Sequence, residues 1–147
     1  DLTERVATLM QRIGFSRALV VCGMDASSGR FMDELSPCGS TRVTTLSARS
    51  IHTDTLEPED VGLRRCALAD LLRRGSADEE RERFLAALGG RGETALEDFI
   101  CLNAAAIFLV MERVDSLVAG IAKARAVIAS GAATARLDAW RAAQQST

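Results

Sequence analysis

Asp33 and Glu34 are adjacent acids that follow a small, glycine-containing stretch, Met24 to Met32, which in turn follows the apolar run from Arg17 to Gly23. Two neighbouring carboxylates are hard oxygen donors. They suit Mg²⁺, which takes one or two protein carboxylates and completes its octahedron with water and phosphate oxygens. Adjacent acids also occur on solvated loops, so their place in the fold decides between the two readings. A short unbroken apolar run is what a strand covered by helices on both faces looks like. Ligands of open α/β sheets bind beyond the carboxyl ends of such strands, and that is where this pair is expected.

The other reactive side chains read as structural. Cys22, Cys38, Cys66 and Cys101 lie far apart with no CxxC spacing, and His52 is the sole histidine, so neither a zinc site nor a redox dithiol is indicated. Free, mostly buried thiols are expected, Cys22 among them as a small hydrophobe closest to the candidate site. His52 falls in a polar strand and reads as surface imidazole. Asn103, inside an apolar helix, must find partners and is expected to bond neighbouring backbone. Gly23 and Gly29 do not form GxGxxG, and no GK[ST] follows them. The doublets Arg64-Arg65 and Arg73-Arg74 fall near helix ends, where they complement terminal carbonyls.

A chain of 147 residues, 48% hydrophobic and 26% charged, is the size and composition of one globular domain. Its net charge of −2 is spread along the chain, which argues against nucleic acid or anionic lipid as a partner. Phe99 to Met111, the longest apolar stretch, contains Asn103 and is well short of the roughly 20 residues that cross a bilayer. The start, DLTERVATLMQRIG, lacks the basic, apolar and small-residue zones of a secretory signal, and cytoplasm is the expected location.

Periodicity supplies the elements that would position the pair. Leu2, Val6, Leu9, Met10 and Ile13 have helical spacing before Gly14, predicting a surface helix leading into a parallel strand. Met24 to Met32 reads as a loop. Thr41 to Leu46 and Ile51 to Leu56 predict a β-hairpin about the turn Ser47 to Ser50, and Glu57-Pro58-Glu59-Asp60 predicts a single helical turn closed by Gly62. Helices are predicted for Ala67 to Arg73, Asp78 to Leu88, Thr94 to Val114, Ser116 to Ser130 and Ala132 to Gln144. In the third of these, positions 96, 99, 100, 103, 104, 107, 110 and 111 draw one stripe. Stripes this apolar require a larger sheet than these residues supply, so an exposed apolar face is expected.

Several strings occur in order: RALVVCG, MDELSPCGSTRV, TLEPEDVGL, LNAAAIFLV and DSLVAGIAKARAVIASGAA. Together they resemble the carboxy-terminal region of anthranilate phosphoribosyltransferases, which show a strand ending in VVHG, a G-[LM]-DE-[IL]-S loop, a PEDFGL turn and LNAAAAL before a helix ending in SGAA. The resemblance runs from about Leu2 to Leu137. It implies an α/β fold, a partial nucleoside-phosphorylase/phosphoribosyltransferase-like domain with a parallel strand, a β-hairpin and several covering helices. It implies a pentosyltransferase of tryptophan biosynthesis that moves the phosphoribosyl group of phosphoribosyl pyrophosphate (PRPP) to the amine of anthranilate. It also implies that Asp33 and Glu34 bind the Mg²⁺ accompanying the pyrophosphate, with no residue here acting as acid or base, and a possible homodimer at full length.

The sequence departs from the family at four places: a longer Met24 to Met32 stretch, Cys22 for histidine, Val61 for phenylalanine and Arg81 for asparagine. The family's GTGGD turn, its KHG segment and the arginine that helps hold anthranilate belong upstream, and nothing in these residues matches them. Residues 1–147 are therefore expected to be the carboxy-terminal portion of the α/β domain, without the amino-terminal helical domain or the PRPP loop, and inactive alone. The alternatives are a non-catalytic α/β interaction or regulatory module, or a fragment of a related pyrimidine nucleoside phosphorylase.

Overall fold

The computed structural model describes residues 2–48 and 50–145. Helix α1 (Leu2–Arg12) leads into strand β1 (Ala18–Met24), followed by β2 (Phe31–Met32), β3 (Thr41–Leu46) and β4 (Ile51–Leu56). Two short 3₁₀ turns, Pro58–Val61 and Leu68–Asp70, connect to helices α2 (Ala77–Leu88), α3 (Thr94–Val110), α4 (Leu117–Ala129) and α5 (Ala132–Gln145). The sheet order is β2-β1-β3-β4 and every pairing is antiparallel. The α/β class stands, but β1 is not parallel to any strand among the described residues. Its apolar run has another cause: α1 covers one face and the α3–α4 layer the other, so neither face of β1 can be polar.

Register sets which side chain meets which layer. Val21 lies opposite Val43, and both pack with Leu56 against the core of Leu35, Leu63, Leu102 and Ile121. On the other face Thr44 bonds the Thr3 hydroxyl of α1 at 2.8 Å and the Thr53 hydroxyl at 2.8 Å. Helix α3 is buried through Cys101, Leu102 and Ala105, whereas Ile107 is 61% exposed. The stripe read from the sequence is thus displaced, because α3 meets both the sheet and α4 and has no single inner face. A Cβ on Gly120 of α4 would come within 2.6 Å of the Ala105 Cβ, so the α3–α4 crossing is closer than a side chain there allows.

Two further elements differ from the sequence pattern. The stretch 24–32 is a hairpin, since Gly23 pairs with Met32 and Met24 with Phe31. Its turn is held by the Asp25 carboxylate, which accepts from the Ser27 hydroxyl at 2.7 Å, the Ser28 hydroxyl at 2.6 Å and the Ser28 N–H at 2.9 Å. These donors, the Ser28 hydroxyl foremost, hold Asp25 below the usual carboxylate range. Ala67 to Arg73 is not an α-helix. The carbonyls a helix would use are taken by guanidinium groups: Arg74 donates to Ala69, and Arg83 to Asp70 and Leu72.

The hairpin of β3 and β4 and the Pro58–Val61 turn fall where the sequence placed them, although Arg49 in the hairpin turn lies outside the described residues. The expected exposed apolar face is present. Leu2, Val6, Leu9 and Ile13 are exposed, whereas α1 buries Thr3 and Ala7.

Candidate functional site

Asp33 and Glu34 follow β2 directly and are both exposed. Antiparallel pairing of β2 with the last residues of β1 puts them beside the carboxyl end of β1. The Glu34 carbonyl lies so close to Gly23 that a Cβ there would overlap it, and would also come within 2.9 Å of the Ser36 Cβ. Glycine at the end of β1 is what lets the acid-bearing segment cross the strand.

The next residues are buried and bonded on every side. Leu35 is 1% exposed and belongs to the core. Its N–H donates to Asn103 Oδ1 at 2.9 Å, and Asn103 Nδ2 donates to the Leu35 carbonyl at 3.0 Å and to the Phe99 carbonyl at 3.0 Å. The Ser36 hydroxyl donates to the Met24 carbonyl at 2.8 Å, and the Ser36 N–H to the Thr41 hydroxyl at 2.9 Å. The loop is therefore anchored to β1, β3 and α3 immediately after the two acids. Asn103 bonds the Phe99 backbone as expected, but its larger role is to grip Leu35, a contact over a separation of 68 residues that the sequence pattern did not reveal.

The two carboxylates make no hydrogen bond or ion pair with any described residue. Asp33 lines two recesses. One, of about 510 Å³, is shared with Val20, Cys22, Met32 and Arg42 on the α1 face. The other, of about 320 Å³, is shared with Glu34, Arg30, Leu68, Leu72 and Phe99. Exposed, unpaired hard donors on a rigid loop fit a hydrated divalent cation that brings its own phosphate ligands. Among the described residues no group of three or more His, Cys, Asp or Glu could hold a metal, so any ion here depends on water and ligand oxygens for most of its shell.

His52 is at the surface, its ring 3.1 Å from Asp54 and remote from the acids in sequence and strand position. Cys22 is half-buried beside Asp33 in the larger recess. Cys38 and Cys66, in contrast, meet: their sulfurs are 3.0 Å apart.

Residues 1–134 match the family model described as glycosyl transferase family, a/b domain. The chain is 43% identical over 138 residues to an anthranilate phosphoribosyltransferase of Dechloromonas aromatica, covering 94% of this chain and 38% of that protein. It is 40% identical over 139 residues to that of Moorella thermoacetica, covering 95% and 39%. Among solved structures, the anthranilate phosphoribosyltransferase of Thermus thermophilus superposes with a TM-score of 0.77 at 34% identity over 92% of this chain and 38% of the other. The Saccharomyces cerevisiae protein in complex with PRPP and Mg gives 0.73 at 26% identity, over 93% and 37%. The chain thus spans about 38% of the length of its curated relatives. Sequence match and superposition agree, and the chain belongs to the glycosyl transferase family, in its a/b domain.

Proposed function

We propose that these residues form the magnesium-holding part of an anthranilate phosphoribosyltransferase, acting in tryptophan biosynthesis on PRPP and anthranilate together with further chain that supplies the rest of the active site. The observation that carries this reading is the acidic pair itself: two unpartnered carboxylates on a loop anchored at the carboxyl end of β1. Asp33 and Glu34 would hold Mg²⁺. The bound ion would supply positive charge where the departing pyrophosphate gathers negative charge.

The chain's own contribution is positional. Asn103, Ser36 and Gly23 fix the backbone on which the acids stand, so no reorganisation is needed when the ligand arrives. Neither carboxylate needs to move a proton. Arg30, in the wall of the smaller recess with both acids, adds positive charge there. The names of the relatives support this reading, among them the yeast protein solved with PRPP and Mg. The exposed apolar side of α1 supports the participation of further chain, since an apolar face of this kind calls for a cover.

One observation favours a non-catalytic module instead. A hairpin whose turn is held by Asp25 stands directly before the acids, where the family pattern has only a short link. Turnover separates the two. The isolated 147-residue polypeptide is expected to form no phosphoribosyl anthranilate from PRPP and anthranilate. The same residues joined to the amino-terminal part of the Thermus thermophilus relative are expected to form it in a Mg²⁺-dependent way. A joined polypeptide that is folded yet inactive at saturating Mg²⁺ would support the module.

A further inference from the structure

The magnesium chemistry proposed for Asp33 and Glu34 makes no use of the thiols, yet two of the four come together. Cys38 lies within the buried run that follows the acids and is 1% exposed. Cys66 lies 28 residues on, half-buried, after the Pro58–Val61 turn. Their sulfurs are 3.0 Å apart, and the Cys66 N–H donates to the Pro37 carbonyl at 3.0 Å, so the backbone on each side is already held in place. A disulfide needs about 2.05 Å between sulfurs, a closure of about 1 Å. Cys101 is fully buried within α3 and is already packed in the core.

We propose that Cys38 and Cys66 are an oxidation site of this chain, forming an intrachain disulfide that clasps the acid-bearing loop to the segment opposite it. The segment after Cys66 carries Leu68 and Leu72, which line the smaller recess together with Asp33 and Glu34, so the bond ties together two segments that line it. The disulfide forms whether or not the acids bind a metal.

A low-molecular-weight disulfide such as oxidised glutathione is the oxidant. The half-buried Cys66 thiolate attacks one glutathione sulfur, the glutathione S–S bond breaks, and the first glutathione leaves as thiolate. Cys38 then attacks the mixed disulfide at Cys66 Sγ and displaces the second. Two protein thiols are oxidised, one glutathione disulfide is reduced to two thiols, and the two thiol protons end on the glutathiones. Burial pushes both thiols above the ordinary cysteine range, Cys38 furthest, so thiolate is scarce. The reaction is expected to take on the order of hours at neutral pH and to quicken as pH rises.

The test incubates the reduced chain with oxidised glutathione under native conditions and in guanidinium chloride, followed by peptide mapping without reduction. The native product is expected to be lighter by two hydrogen atoms, with Cys38 and Cys66 in one linked peptide and Cys22 and Cys101 unlinked. Its Tm should rise by roughly 5–15 °C and fall back with dithiothreitol. The guanidinium sample should give mixed pairings. Cys66→Ser, a mild change at a half-buried position, should abolish the Tm rise and leave Cys38 reduced. Native oxidation that leaves all four thiols free, joins Cys22 to either partner, or yields the same mixture as the denatured chain would overturn the proposal.

Discussion

In a polypeptide that joins these residues to the amino-terminal part of a relative, the double variant Asp33→Asn/Glu34→Gln is expected to lose about 10²–10³-fold in kcat/KM for PRPP, the scale of removing one charge-stabilising element from an active site. Both replacements preserve shape and remove only the negative charge that would hold the ion. The side chains are exposed and make no bond to other described residues, so Tm should stay within a degree or two of the parent, as for most surface changes. Steady-state kinetics at several Mg²⁺ concentrations check the result. Single variants should recover part of the loss at high Mg²⁺, because one carboxylate still binds the ion more weakly. A comparable loss that no Mg²⁺ concentration relieves would mean that the acids act in some other way.

The second large effect is on stability. Asn103→Ala is expected to cost roughly 2–5 kcal/mol, because it leaves the buried Leu35 N–H and carbonyl without partners and each orphaned group costs about 1–3 kcal/mol. Chemical denaturation of parent and variant measures it. Asn103→Asp, which keeps the acceptor for the Leu35 N–H and loses the donor for its carbonyl, also buries a charge and should not restore the parent's stability. Because Asn103 touches the segment immediately after Glu34, the alanine variant should also weaken Mg²⁺ binding although Asn103 touches no ligand. Unchanged stability in the alanine variant would show that the grip on Leu35 matters little.

Legibility in the sequence followed the range of the interactions. The hairpin from Thr41 to Leu56 is written in local alternation and turn residues, and its strands lie where that pattern puts them. The Pro58–Val61 turn, with proline at its first position, is equally local. Long-range causes were not visible. The apolar run of β1 suggested a parallel strand because such strands are usually the ones covered on both faces, but α1 and α3 produce the same composition around an antiparallel one. Ala67 to Arg73 has helical composition, yet Arg83, on the next helix, competes for its carbonyls.

The outer face of α1 shows the same limit in reverse. Periodicity identified Leu2, Val6, Leu9, Met10 and Ile13 as one stripe, but could not say that all of them except Met10 would be left exposed. For the site, the motif MDELSPCG located the acids, while the fold shows what holds them: Gly23, Ser36 and Asn103, from three separate elements. The meeting of Cys38 with Cys66 left no mark in spacing, since a contact across 28 residues depends on where the intervening hairpin folds.

Calorimetric titration of Mg²⁺ into the joined polypeptide, with inorganic pyrophosphate present, asks most directly whether Asp33 and Glu34 hold a divalent cation together with a diphosphate. Saturable binding is expected for the parent, with affinity reduced at least about tenfold, or about 1.4 kcal/mol, in Asp33→Asn/Glu34→Gln. Equal affinity in parent and variant would contradict the account.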